Sequence, residues 1–220
     1  MLVLVLLLLA PFAFMILLGL FILPFHFFTT SLFNVLTVPF QLFKIAFNPA
    51  LRANHALEHA TINVIEEQLG PLPLTGQGEK NGFLIQGPLL SPEIVYEAAQ
   101  VALERLKMGE KDLVVHRRCG TSILSANFLF SLLFLFFLWR VGYFSFFNIL
   151  LSLIAAQLLG PYLGVWAQKY ITTSTRVHNM EIVGVESFFP HAKTNFWPGR
   201  MQHTTSYFVC TRRYILADKK

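Results

Sequence analysis

Apolar residues fall along this chain in long blocks separated by two polar stretches. Residues Met1 to Leu23 carry no charged side chain. A helix needs about 20 residues to cross a hydrocarbon core of about 30 Å, so this block is long enough to span. Its apolar run begins at Leu2 with no basic segment before it, which favours a retained anchor over a cleaved signal peptide. Pro11 and Pro24 are expected to kink it and end it. Residues 29–47 stay apolar but gain Asn34, Pro39, Gln41 and Lys44. They read as an interfacial helix, with a second crossing as the alternative. The block from Ile123 to Gln168 is too long for one span and is interrupted at Trp139, Arg140, Gly142 and Tyr143. It reads as a helical hairpin, about Ser122 to Leu138 and Phe146 to Trp166, with a bend at Gly160-Pro161. A buried hairpin in a soluble protein would need far more covering chain.

The polar stretches show a different punctuation. Asn48-Pro49 suits the start of a helix and Gly70-Pro71 its end, so a helix is expected over Pro49 to Leu69. Asn81 to Gln86 reads as a short strand. Ser91-Pro92-Glu93 opens another helix, with Ile94, Ala98, Val101, Ala102 and Leu106 on one face and Gly109 at its end. Asp112 to His116 reads as a strand, which would complete a strand–helix–strand unit. Past the hairpin, Met180 to Phe188 and Thr204 to Tyr214 read as strands, separated by a Pro- and Gly-containing loop at 189–201.

Composition agrees with the membrane reading. Apolar residues make up 55% of 220, charged residues 13%, and Phe occurs 23 times. A soluble domain of this size has about a quarter of its residues charged. The net charge of +5 is sharply partitioned. Residues 48–120 hold 7 basic and 9 acidic side chains, and residues 169–220 hold 8 and 3. Only Arg140 lies in the hairpin loop. The positive-inside rule then puts both polar stretches in the cytoplasm, where they can build one domain. The basic excess is topogenic, and no nucleic-acid partner is expected. The expected organisation is a membrane anchor and interfacial helix (1–47), a polar α/β segment (48–121), a membrane hairpin (122–168) and a strand-rich polar segment (169–220) that packs with 48–121.

The most informative stretch is His55-Ala56-Leu57-Glu58-His59. Residues four apart share a helix face, so both imidazoles can meet one ion, with Glu58 within a turn of each. This is the reversed zincin order: two His ligands and a Glu placed to take a proton from water. Neutral imidazole suits Zn²⁺, although another divalent metal would also fit. On a helical wheel Arg52, Asn63 and Glu66 share the His face. Glu66 is too far along the axis for the same ion. A His pair on a helix is also compatible with a solvated face or a hydrogen-bonded core.

A second cluster, His116-Arg117-Arg118-Cys119-Gly120-Thr121-Ser122, precedes the hairpin. Its arginines suit lipid phosphates. His116 and Cys119 have no anchoring role to explain them and are good Zn²⁺ ligands at ligand-like spacing. Together, Asn-His-Ala-Leu-Glu-His-Ala-Thr-Ile-Asn and His-Arg-Arg-Cys-Gly-Thr-Ser resemble a bacterial membrane family of unknown function, similar to the YqhQ-type predicted metal-dependent enzymes. Those carry Glu-His-x-x-Ile and His-Pro-x-Cys-Gly-Thr stretches, with Pro where Arg117 stands here. The resemblance covers about residues 48–190 and implies a metal site of His55, His59 and the His116/Cys119 motif. Glu181, beyond the hairpin, is a candidate distal carboxylate ligand; pairing with Arg176 is its alternative.

The sequence thus reads as an α+β membrane protein with about three transmembrane helices and a small cytoplasmic metal-binding domain. The expected function is zinc-dependent hydrolysis, first as a peptidase on a membrane or juxtamembrane protein. His55 and His59 are ligands, His116, Cys119 or Glu181 completes the sphere, and Glu58 is the general base. The alternative is a membrane scaffold or assembly factor with a structural zinc site, its Phe-rich helices packing against partner membrane proteins. Polar residues that would line a transport path are nearly absent from the spans.

Overall fold

The structure is a computed structural model, described here for residues 2–116, 119–142, 146–188 and 205–214. Its helices are α1 (Leu2–Ala46), α2 (Pro49–Leu69), α3 (Pro92–Lys107), α4 (Gly120–Val141) and α5 (Phe146–Ala167). Its strands are β1 (Thr75–Glu79), β2 (Gly82–Gly87), β3 (Met180–Phe188) and β4 (Thr205–Arg213). The protein is mostly helical with one small antiparallel sheet, an α+β arrangement. Two helical stretches, Gly120–Val141 and Phe147–Thr172, are long and apolar enough to cross a membrane. A third candidate is Phe25–Ala46 taken with Pro49–Leu69, two helices bent by 93° at the break between them.

The expected end at Pro24 does not occur. α1 runs unbroken through Pro11, Pro24 and Pro39. In apolar surroundings the backbone would have no better partner than itself, which would let a helix tolerate the lost donors. The chain divides into two compact units, Met1–Phe40 with Leu124–Pro161, and Gln41–Ile123 with Tyr162–Lys220. In the first, Phe27 packs on Phe130 and Phe134 at ring separations of 5.7 and 6.3 Å. Asn34 donates to Ser131 Oγ at 3.1 Å, and Gly160 admits Ala126 at a distance no Cβ would allow.

The second unit carries the chemistry. Its sheet has the order β1-β2-β4-β3, with every neighbouring pair antiparallel. It joins strands from both polar stretches. α2 and α3 cover it through Ala56, Leu57, Ala60, Val64, Ile65, Ala98 and Ala102, which meet Phe83, Ile85, Tyr207 and Val209 in one apolar core. α2 begins where expected, because the Asn48 side chain accepts from Leu51 N–H at 3.0 Å and Pro49 follows it. It ends at Gly70, whose φ of +81° suits only glycine without strain. α3 is capped by Ser91. Its buried stripe is Val95, Ala98, Ala99, Ala102, Leu103 and Leu106, while Val101, expected inside, is exposed.

Two local expectations fail. Residues 112–116 are not a strand; Lys111–Val114 is a 3-10 turn. The Asn63 side chain donates to the carbonyls of Leu113 and Val115 at 2.9 and 3.0 Å, so this segment bonds to α2 rather than to a sheet. β1 was not foreseen, and it pairs with β2 across the turn at Lys80-Asn81. The expected loop at 189–201 and the arginines 117 and 118 lie outside the described residues.

Candidate metal centre

α2 is buried around most of its circumference, with Asn54, His55, Glu58, His59 and Thr61 inside. Polar groups in such positions need partners, and most of them are fixed by neighbouring main chain. Arg52 donates to the Tyr170 and Thr173 carbonyls, and Asn54 to those of Glu79 and Lys80. His55 Nδ1 lies 3.0 Å from the Thr172 carbonyl, and His59 Nδ1 lies 2.6 Å from that of Val114. A carbonyl only accepts, so each Nδ1 carries the proton and each Nε2 keeps its lone pair. Thr172 belongs to a π-helical turn, Gln168–Thr172, that prolongs α5.

A third donor stands beside His55 Nε2. Cys119, the residue before α4, places Sγ 3.5 Å from His55 Nε2. One ligand atom from each of His55, His59 and Cys119 lies within 4.8 Å of the others, and all three residues are buried. A tetrahedral Zn²⁺ with nitrogen at about 2.0 Å and sulfur at about 2.3 Å spaces such ligands roughly 3.5 Å apart. The donor set therefore fits a metal ion. Two buried atoms, His59 Nε2 of this trio and Glu58 Oε2 beside it, have no hydrogen-bond partner among the described residues. Glu58 holds its two oxygens 3.8 Å from His55 Nε2 and 4.0 Å from His59 Nε2.

The electrostatics follow from burial. Without a cation, desolvation pushes the Glu58 carboxyl up to about 8, opposed by a hydrogen bond from Gly78 N–H. Burial lowers His55, and it lowers His59 further with help from the neighbouring His55 and His116 rings. Both imidazoles are thus neutral near pH 7, the form that binds metal. The Cys119 thiol is raised by burial, partly offset by Thr121 N–H, which donates to Sγ at 3.3 Å. A cation among these groups would reverse the trend for Glu58 and Cys119.

The remaining expected site residues are placed differently. His116 lies beside the trio, its ring centroid 6.0 Å from that of His59, and its Nε2 sits 3.7 Å from Glu66 Oε2. It is outside the three-donor group. Its main-chain N–H is held by Gln168 Oε1 at 2.9 Å, and Gln168 Nε2 donates to Ser122. Glu181 is not among the three donors. It sits on β3 opposite Arg212 and pairs with that guanidinium at 3.4 Å, not with Arg176. Strand register, which spacing does not reveal, gives it that partner. Sequence reasoning missed β1 altogether. A Cβ at Gly76 would lie 2.5 Å from Glu58 Cδ, and one at Gly78 would lie 2.9 Å from the His55 Cα. Only glycine lets this strand approach α2 so closely. The alternation Gly-x-Gly at 76–78 was the available signal.

Residues 50–185 match the model of a domain of unknown function, DUF6391. The chain belongs to this family. The DUF6391 region takes in α2, the Cys119 segment, the hairpin and Glu181. An uncharacterized protein of Picosynechococcus sp. (strain ATCC 27264 / PCC 7002 / PR-6) is 31% identical over 136 residues. That alignment spans 56% of this chain and 66% of the relative, just under two thirds of its length. No solved structure matches the chain.

Proposed function

We propose that this DUF6391 protein is a membrane-embedded, zinc-dependent hydrolase, and in its narrower form a peptidase acting on membrane or juxtamembrane protein. The observation that carries the reading is the buried group of His55, His59 and Cys119, in which His59 Nε2, like Glu58 Oε2 at 3.8 Å from His55 Nε2, has no hydrogen-bond partner among the described residues. His55, His59 and Cys119 would hold the ion and, as three protein donors, would leave a tetrahedral site one position for water or substrate. The ion supplies the Lewis acidity that makes water a nucleophile near neutral pH. Main-chain carbonyls orient His55 and His59 and fix their tautomers, the arrangement that metal-ligating histidines generally have. Glu58 takes the proton from water and returns it to the leaving group. The motif likeness to YqhQ-type proteins supports a metal site drawn from the same two segments.

The site stands at a membrane boundary in this reading. Cys119 directly precedes one span-length helix, and Thr172 ends the other. With the charge partition of the sequence, this supports a cytoplasmic polar domain. The alternative, a scaffold with a structural ion, requires a fourth protein ligand and gives Glu58 no task.

The test compares Glu58→Gln with His59→Ala in full-length protein at equal abundance. Glu58→Gln is expected to keep zinc and to lose roughly 10²–10⁴-fold in turnover, the share that general-base catalysis supplies. His59→Ala is expected to lose zinc. A Glu58→Gln protein that holds zinc and keeps full cellular function would leave the scaffold reading standing instead.

A further inference from the structure

β1 is an edge strand among the described residues, since the sheet order β1-β2-β4-β3 leaves one of its sides unpaired there. The register says which residues face that side. Glu79 and Gly82 flank a two-residue turn and pair directly, so Gln77 with Leu84 and Thr75 with Gln86 are the next pairs bonded to β2. Gly76 and Gly78, the alternate residues, therefore turn their N–H and C=O groups outward. The outer edge of β1 thus borders the proposed metal centre, and the strand lies on α2 over the stretch from His55 to Glu58.

We infer that the outer edge of β1 is a docking rail for an extended polypeptide, which adds a strand to the sheet and so presents one of its carbonyls beside His55, His59, Cys119 and Glu58. The inference rests on the hydrolase reading and supplies its substrate class. Several features of the strand argue for this occupant. Its outward groups, the N–H and C=O of Gly76 and the C=O of Gly78, are main-chain donor and acceptors in a two-residue repeat, which an extended polypeptide complements and a sugar or lipid headgroup does not. The outward-facing residues are glycines, so no side chain stands between the edge and an incoming backbone. Of the two outward residues Gly76 is exposed and Gly78 half-buried, so the edge is open to solvent at Gly76. A folded segment cannot offer its backbone there, so the substrate is unfolded or extended where it is cut. In the reaction the scissile C–N bond breaks and a C–O bond forms from water. Glu58 carries the water proton to the departing amine, leaving a carboxylic acid and an amine.

The test uses full-length, zinc-loaded protein in lipid nanodiscs, with unfolded β-casein as probe. Fragments are identified by mass spectrometry. A ten-residue peptide spanning one cut is then remade with a single N-methyl group at each position in turn. Strand addition predicts losses of at least about tenfold in cleavage at two positions, two residues apart, whose N–H groups meet the Gly76 and Gly78 carbonyls, with little effect at the position between them. Losses without that alternation, or losses only at the cut, overturn the rail. Zinc content and Glu58-dependent hydrolysis of p-nitrophenyl acetate are followed alongside. Ester hydrolysis without casein cleavage overturns the polypeptide substrate and leaves the hydrolase. Retained zinc with neither activity overturns both.

Discussion

Replacing Gly76 by Ala separates the proposed base from the proposed ligands. The added Cβ would sit 2.5 Å from Glu58 Cδ and 2.6 Å from Cγ, and closest of all to Oε1. Ordinary carbon contacts lie at about 3.5–4.0 Å, so the carboxylate or the strand must yield by about 1 Å. The carboxylate has little freedom, because Glu58 is buried. Overpacking of this kind costs about 1–3 kcal/mol of stability. A misplacement of about 1 Å at a catalytic group costs on the order of 10²-fold in rate. The three atoms nearest the new methyl all belong to Glu58, so metal affinity is expected to stay within a few-fold. The assay is Co²⁺ substitution, in which the sulfur-to-cobalt charge-transfer band reports the Cys119 ligand, read with ester hydrolysis on the same sample. An unchanged band with turnover down about 100-fold is expected. Full turnover would refute the close approach of β1 to Glu58. Loss of the band would show that β1 supports the ligands themselves.

Metal-free protein is expected to be most stable near pH 6.5. Between pH 6.5 and 8 the folded state keeps a proton on Glu58 that the unfolded chain has lost, so stability falls with rising pH by about 1.4 kcal/mol per unit. Below 6.5 the unfolded chain protonates His55 and His59, which burial keeps neutral in the fold, so stability falls again. Thermal unfolding at pH 5, 6.5 and 8 checks this, and a monotonic rise to pH 8 would contradict it. Gln168→Leu strands the buried His116 N–H and should cost about 1–3 kcal/mol, read as a lowered melting temperature with the charge-transfer band retained. Cysteines placed at Lys107 and Gly142 should label from opposite sides of the membrane; labelling from one side would refute a single crossing by α4.

Much of the second unit was legible, and the reasons are local. α2 is bounded by Asn48-Pro49 and Gly70, residues whose backbone chemistry marks helix ends wherever they occur. β3 and β4 alternate strongly enough to read directly. β1 did not, because Thr-Gly-Gln-Gly-Glu has no apolar alternation; it is a strand because β2 pairs with it and α2 lies close by. The 3-10 turn at Lys111–Val114 was mistaken for a strand because Leu113 and Val114 are apolar, yet their burial is against a helix. Of the site, the three donors have informative side chains. Their supports do not: Val114 and Thr172 act through main-chain carbonyls, which no residue type announces. Glu181 looked available because sequence distance hides the cross-strand neighbour, Arg212, that occupies it.

The central claim is a metal ion held by His55, His59 and Cys119, and X-ray absorption at the zinc edge of full-length protein purified without chelators tests it most directly. The account predicts one zinc per chain, with two imidazole nitrogens at about 2.0–2.1 Å, one sulfur at about 2.3 Å and one further light atom. It also predicts that Cys119→Ser removes the sulfur shell. Protein that carries no metal, or zinc whose shell lacks sulfur, would contradict it.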